Sequence, residues 1–166
     1  MCVNLSARQL RRPELVEEVS GALTETGMAP SDLALEITES VLMEEGRTDP
    51  DPLWALKGLG ATLVVDDFGT GHSPITALEG FPVDVLKMDR SMVEGVDTDP
   101  ENREMVSATT GMAHALGLGV VAVGVETAGE LDGLRSMGCD FAQGFYWQRP
   151  CSAEKMEELL AAGFDP

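Results

Sequence analysis

Basic residues are scarce in this chain of 166 residues, which has 11 Lys and Arg side chains against 29 Asp and Glu. The resulting formal charge of -18 would be repelled by the phosphates of DNA and RNA and by anionic lipid, so neither is an expected partner. A phosphate ester would bind such a chain through a bridging cation, and clustered carboxylates are well suited to holding one.

Cysteines and long hydrophobic runs are also few. The three cysteines, Cys2, Cys139 and Cys151, have no CxxC spacing and are odd in number, which argues against a disulfide framework. The longest apolar stretch lies near Val120 to Val125 and is far too short to span a bilayer. The first residues contain no apolar region of a signal peptide. Together these features predict a cytoplasmic protein that does not insert into a membrane.

Short apolar runs alternate with helical segments along the chain. Strands are predicted at residues 3–6, 33–38, 61–67, 83–89, 118–126 and 139–146, and helices at 13–27, 52–60, 101–117 and 152–163. This alternation indicates an α/β fold with parallel strands and right-handed crossovers, in about six strand–helix units. A doubly wound sheet and a (β/α) barrel both fit that number.

Polar residues at the ends of the predicted strands favour the barrel. Such a residue stands at or near the carboxyl end of nearly every strand: Asn4, Glu36, Asp66, Lys87, Glu126 and Gln143. A (β/α) barrel of the TIM type builds its active site at that end of the strands. The sequence therefore predicts an incomplete TIM-type barrel with a site at its carboxyl-terminal rim.

The segment DDFGTG, residues 66–71, places two adjacent carboxylates after an apolar strand and before a glycine-rich turn. Adjacent strand residues point to opposite faces, so Asp66 and Asp67 could share a metal only if the strand ends there. By alternation, Asp66 lies on the lumen face with Thr62 and Val64. An ordinary surface turn is the alternative, because Asp and Gly are common turn residues.

Six segments in order and spacing carry a resemblance to a known family. They are VNLSARQL, LALEITES, VVDDFGTG, LKMDRSMV, VAVGVET and GCDFAQGF, and they run from the first residues nearly to the end of the chain. In these segments the sequence resembles the EAL domain family. The resemblance implies a TIM-type barrel and a phosphodiesterase that uses two metal ions, Mg²⁺ or Mn²⁺, to open cyclic di-GMP to the linear dinucleotide pGpG.

The resemblance also implies a metal site. By motif, Asn4, Glu36 and Asp66 match metal ligands, with Asp66 bridging both ions, and Asp67 matches a ligand of the second ion. Hard divalent ions prefer such oxygen ligands, and two ions can stabilise both oxygens of an in-line displacement.

Five further positions match residues around the reacting centre of the family. Lys87 matches the lysine near the attacking water or the phosphate, and Asp89 matches a neighbouring carboxylate. Glu126 closes the AEGVE-type motif, Gln143 matches a residue at or near the guanine, and Glu39 matches a residue that steadies the DDFGTG loop. For Lys87, a structural ion pair with a lumen carboxylate is the alternative role.

Two departures from the family pattern bear on activity. The strand whose motif names the family precedes VNLS, so residues 1–166 are expected to be a partial EAL domain that lacks the N-terminal strand and helices. The second departure is Val123, which stands where the family has a glutamate tied to the second metal and to water activation. Valine can neither ligate a metal nor move a proton.

Three functional hypotheses follow. We favour a signalling domain that binds cyclic di-GMP or a partner protein with little or no hydrolysis, through a weakened metal site. An active cyclic di-GMP phosphodiesterase and a non-functional fragment of a longer gene are the alternatives. Because an incomplete barrel has open strand edges, we also expect self-association or a partner chain that completes it.

Overall fold

The six apolar segments form strands that pair side by side in the order of the sequence. They are β1 (Cys2–Asn4), β2 (Ala34–Thr38), β3 (Thr62–Phe68), β4 (Val85–Met88), β5 (Gly119–Val123) and β6 (Phe141–Gln143). Every pairing is parallel. The structure, a computed structural model, describes residues 1–45, 51–71 and 74–163.

Helices lie between and after the strands, and six of the eight α-helices in the described residues begin at a residue whose side chain caps the helix. They are α1 (Ala7–Leu10), α2 (Leu15–Thr26), α3 (Glu39–Glu45), α4 (Pro52–Gly58), α5 (Arg90–Val93), α6 (Pro100–Ala115), α7 (Ala128–Ser136) and α8 (Ala153–Ala162), with short 3-10 helices at Pro30–Asp32 and Ile75–Gly80. Ser152 caps α8 by accepting a hydrogen bond from the Lys155 N–H. No helix within the described ranges is long and apolar enough to cross a bilayer.

The sheet curls into half of a barrel with the helices around it, which confirms the incomplete TIM-type barrel. The doubly wound alternative is wrong, because that fold reverses its strand order at a switch point and this sheet runs without reversal from β1 to β6. In the part of the chain that the structure describes, β1 and β6 do not pair with each other.

The two faces of the sheet have different compositions. The side chains that point towards the helices are apolar and fully or nearly fully buried, among them Leu35, Ile37, Leu63, Val65, Leu86, Met88, Val120 and Ala122. The opposite, concave face carries buried polar side chains, Glu36 on β2 and Lys87 on β4. The alternation of side chains along each strand produces this division, and it places these ionisable residues on the concave face.

Carboxylates fix the strand register at the opposite end of the sheet from those residues. Asp140, just before β6, accepts a hydrogen bond of 2.8 Å from the Val120 N–H and pairs with His114 Nε2, also at 2.8 Å. Asp84, just before β4, accepts from the Leu63 N–H at 2.9 Å in the same manner. The Asp140–Val120 and Asp84–Leu63 contacts each join neighbouring strands, so they stabilise the relative positions of those strands.

Candidate functional site

Four of the predicted site residues share the concave face near the carboxyl ends of β1 to β4. Asn4 pairs in register with Glu36, and Glu36 pairs with Val64, two residues before Asp66. Val64 pairs in turn with a β4 residue two positions before Lys87. Since residues two apart in a strand point the same way, the four side chains converge on one surface.

Lys87 lies at the centre of this surface. Its Nζ is 2.9 Å from Glu36 Oε2 and 3.1 Å from Asp66 Oδ1, and the three side chains are 10%, 9% and 17% exposed. Burial by itself lowers the pKa of Lys87, but the hydrogen bonds to Glu36 and Asp66 and their charges outweigh it, so the pKa is raised. The ion pair named as the alternative role of Lys87 is therefore present.

Asp67 reaches the site through a bulge in β3. The register between β3 and β4 shifts between Val65 and Phe68, and Asp67 has a φ of 55°, in the left-handed region. Its N–H donates to Asp66 Oδ1 at 3.0 Å. The strand continues to Phe68, so the bulge, and not a strand end, is what changes the direction of the chain at Asp67. Burial, followed by the charges of Asp66 and Asp89, raises the pKa of Asp67.

Glu39, at the start of α3, packs under the DDFGTG turn. Its side chain is buried, and its Oε2 accepts a hydrogen bond of 3.4 Å from the Gly69 N–H. The glycines are required here for two reasons. Gly69 has a φ of 102°, and a Cβ on Gly71 would collide with the Glu39 carboxylate.

Asp89 and Glu126 are each engaged with a neighbouring loop residue. The Asp89 carboxylate caps α5 by accepting from the Ser91 N–H at 2.9 Å, and its hydrogen bonds with the Ser91 side chain and backbone lower its pKa. Glu126 Oε1 lies 2.8 Å from Arg90 Nη1. Both carboxylates stand on the loops that follow β4 and β5, next to the Lys87 cluster but outside its ion pairs.

Val123 and Gln143 occupy the β5–β6 side of the concave face. They pair in register with each other, and Lys87 pairs with Val121, two residues before Val123. The side chain of Val123 is half-buried and that of Gln143 is exposed. An apolar side chain therefore stands between Lys87 and Gln143, where the strand pattern would permit a carboxylate.

Comparison with known proteins identifies the family. The family model of the EAL domain matches residues 2–150. The chain belongs to the EAL domain family. The cyclic di-GMP phosphodiesterase NbdA of Pseudomonas aeruginosa is 40% identical over 162 residues, which are 98% of this chain and 21% of that protein. The chain spans about a fifth to a quarter of the length of these and other curated relatives that it matches.

Solved EAL structures have the same fold. The EAL domain of Mycobacterium smegmatis DcpA superimposes with a TM-score of 0.92 and is 39% identical, covering 99% of this chain and 74% of that one. A manganese and cyclic di-GMP complex of Klebsiella pneumoniae BlrP1 gives a TM-score of 0.83 at 31% identity, covering 90% of this chain and 38% of that one. This EAL domain is thus related to cyclic di-GMP phosphodiesterases.

The oxygen donors of this EAL domain fit one hard divalent cation. Asn4, Glu36 and Asp66 supply amide and carboxylate oxygens from three neighbouring strands, and Asp67 lies beside them. Among the residues described, no three His, Cys, Asp or Glu side chains are already grouped as a metal site, and the Lys87 ammonium supplies the positive charge between Glu36 and Asp66. Val123 offers no ligand for a second ion.

A groove opens beside Gln143 at the β6 edge. It has a volume of about 680 Å³ and is lined in part by Phe145, Trp147, Arg149 and Met156. The Arg149 guanidinium lies 4.5 Å from the centre of the Phe145 ring, which is a cation–π distance. Aromatic and cationic groups of this kind suit a nucleobase, and they lie next to the residue matched to guanine contact.

Sequence reasoning missed two residues of the site, Arg90 and Glu130. Arg90 directly follows Asp89 in the segment LKMDRSMV and pairs with Glu126. Glu130 is the last member of the segment Thr127-Ala-Gly-Glu130, a capping box that begins α7. The capping signature was present in the sequence, but the contacts that Glu130 makes beyond its own helix depend on how the loops meet.

Proposed function

We propose that this EAL domain binds cyclic di-GMP with little or no hydrolysis. The position of Val123 carries the proposal: it shares the concave face with Lys87 and pairs with Gln143. An apolar side chain there can neither hold a metal ion nor move a proton, whereas the groups that would bind the nucleotide are retained on both sides of it.

The relatives of this chain and the charges of the site both support cyclic di-GMP as the ligand. NbdA is named a cyclic di-GMP phosphodiesterase, and the BlrP1 structure holds cyclic di-GMP with manganese. In a chain with a net charge of -18, a phosphate needs local positive charge, which Lys87 supplies on the concave face. A cation bound by Asn4, Glu36 and Asp66 would add to it.

We propose Mg²⁺ or Mn²⁺ as that cation, held weakly. Such an ion would supply positive charge to the phosphate oxygens of the ligand. The Lys87 ammonium competes for Glu36 and Asp66, because it already neutralises both carboxylates at 2.9 and 3.1 Å. Binding of the ion must therefore displace or repel this ammonium, which lowers the affinity.

The proposal is tested by calorimetry with cyclic di-GMP, with and without Mg²⁺ or Mn²⁺, beside an assay for pGpG. We expect binding that strengthens with the metal and little product. Asp66→Asn should weaken binding, whereas Asp132→Asn, on the exposed side of α7, should not. Absence of binding would contradict the proposal, and turnover like that of an intact family member would favour the alternative of an active phosphodiesterase.

Association with another chain is a second proposed function, and the sheet edges favour it. Within the described residues β1 and β6 each have one strand neighbour, and both expose apolar side chains, with Val3 38% and Phe141 63% exposed. Open edges of a parallel sheet pair readily with further strands. The occupant would be a second copy of this protein or a partner protein.

A further inference from the structure

Glu130 is a buried carboxylate that binds backbone N–H groups from two loops. Its Oε2 accepts hydrogen bonds from the Glu126 N–H at 2.8 Å and the Thr127 N–H at 3.1 Å, and its Oε1 accepts from the Gly95 N–H at 3.3 Å. The residue is only 7% exposed. No ion pair with Lys or Arg is found for it in the described residues, so hydrogen bonds from these N–H groups stabilise its charge.

Helix capping accounts for only part of this arrangement. A capping box requires the side chain of Glu130 to accept from the Thr127 N–H alone. The hydrogen bonds from Glu126 and Gly95 are additional, and Gly95 belongs to the segment that follows α5, on the β4 side of the site. Glu130 therefore joins the loop after β4 to the loop after β5.

A second contact joins the same two loops. Arg90, which directly follows the Asp89 cap, pairs with Glu126 at 2.8 Å. Gly124 has a φ of 89°, and a Cβ at this position would lie 2.6 Å from Arg90 Cγ. The loop after β5 thus approaches the Arg90 side chain so closely that only glycine fits at Gly124.

The loop after β5 is also bound to the end of β6. The Gly124 N–H donates to the Gln143 carbonyl at 2.8 Å and the Val125 N–H donates to it at 3.1 Å, while the Tyr146 N–H donates to the Val125 carbonyl at 3.0 Å. The backbone position of Gln143 consequently depends on the loop that Glu130 holds.

We propose that Glu130 is a positioning residue for nucleotide binding by this EAL domain, because it fixes the loops that carry Glu126 and Arg90 and, through them, Gln143. The inference rests on the proposed binding of cyclic di-GMP. Glu130 would act through charge-assisted hydrogen bonds, which three N–H groups donate to its carboxylate. Without the carboxylate, the two loops would lose the hydrogen bonds that Glu130 makes to both of them, and the Arg90–Glu126 pair would remain.

Glu130→Gln separates this role from helix capping. The glutamine oxygen can still accept from Glu126 and Thr127, but its NH₂ group would face the Gly95 N–H, donor against donor. Asp132→Asn is the matched control, because it makes the same change of charge on the same helix at a side chain that is 79% exposed. Amide hydrogen exchange and cyclic di-GMP affinity are measured on both variants and on the unsubstituted chain.

We expect Glu130→Gln to speed amide exchange at Gly95 and to weaken cyclic di-GMP binding roughly tenfold, as for the loss of one charge-assisted hydrogen bond. Both variants should remain folded at the temperature of the measurements, and Asp132→Asn should retain normal exchange and affinity. Unchanged exchange at Gly95 would show that Glu130 does not hold the loop after β4 to the loop after β5. Faster exchange with unchanged affinity would overturn the positioning role.

The unsubstituted chain distinguishes failure of this inference from failure of the proposed function. If it does not bind cyclic di-GMP, the proposed function is contradicted and the ligand part of the inference with it. The experiment still tests whether Glu130 joins the two loops, since exchange at Gly95 is measured without any ligand.

Discussion

Lys87 and Glu36 form a nearly buried ion pair across two strands, with Nζ and Oε2 2.9 Å apart and side chains that are 10% and 9% exposed. Asp66 lies on the other side of the same ammonium. One cation thus neutralises two carboxylates that come from β2 and β3, and the local charge at the centre of the concave face depends on it.

Replacing the Lys87 ammonium with an apolar group should lower the stability of the fold. In Lys87→Met, Glu36 and Asp66 would face each other without a cation, and removing one partner of a buried pair costs about 3–5 kcal/mol. We expect a clearly lower unfolding temperature by circular dichroism. Millimolar Mg²⁺ or Mn²⁺ should restore more stability in this variant than in the unsubstituted chain, because a divalent ion can neutralise both carboxylates.

Lys57→Met is the control for that measurement. Lys57 pairs with Asp84, but both side chains are about one-third exposed, so the loss should be within about 0–1 kcal/mol. Equal stability of the two variants would show that the Lys87 cluster contributes no more than a surface pair.

A carboxylate at position 123 should strengthen the site. In Val123→Glu the new side chain would face the surface between Lys87 and Gln143, where it could hold a metal ion or move a proton. We expect tighter Mn²⁺ binding by calorimetry and faster release of pGpG, since general acid–base catalysis is worth about 10²–10⁴-fold. Val123→Gln controls for size and polarity, and identical behaviour of both variants would refute a role for the charge.

The contribution of Glu130 to stability should depend on pH. Burial opposes its ionisation, but hydrogen bonds from the Glu126, Gly95 and Thr127 N–H groups outweigh this and lower its pKa. A carboxyl group whose pKa is lower in the folded chain stabilises the fold above its unfolded pKa, and this stabilisation is lost as the pH falls through the folded pKa.

The difference in unfolding free energy between the unsubstituted chain and Glu130→Gln should therefore be largest near neutral pH and should shrink below about pH 4. Urea unfolding at several pH values measures it. Asp132→Asn should show no comparable trend, and a constant difference for Glu130→Gln over the whole range would contradict the lowered pKa.

The open edges should cause association in solution. Sedimentation of the purified chain should reveal species larger than a monomer, although the charge of -18 opposes uncontrolled aggregation. Phe141→Lys places a charge on the β6 edge and should reduce association. Trp54→Lys is the control, since Trp54 is also an aromatic side chain and is similarly exposed, at 59%, but lies on α4. A single monomeric species with a cooperative melt would contradict this prediction.

Much of the architecture could be predicted from local pattern. Each of the six strands overlaps a segment that the sequence predicts as a strand, and the alternation of side chains correctly placed Asp66 with Val64. These features depend on the period of a strand and on the propensities of neighbouring residues, which are local properties. The helix α7 was not predicted, although its capping box from Thr127 to Glu130 is also a local signal.

The relations across the site were decided only by the tertiary structure. The bulge that redirects Asp67 arises from the pairing of β3 with β4, and the pairing of Glu126 with Arg90 arises where two loops meet. The link from Glu130 to Gly95 joins residues 35 positions apart. The sequence determines which side chains can ionise or donate, but their partners depend on the register and curl of the sheet, which many distant contacts set together.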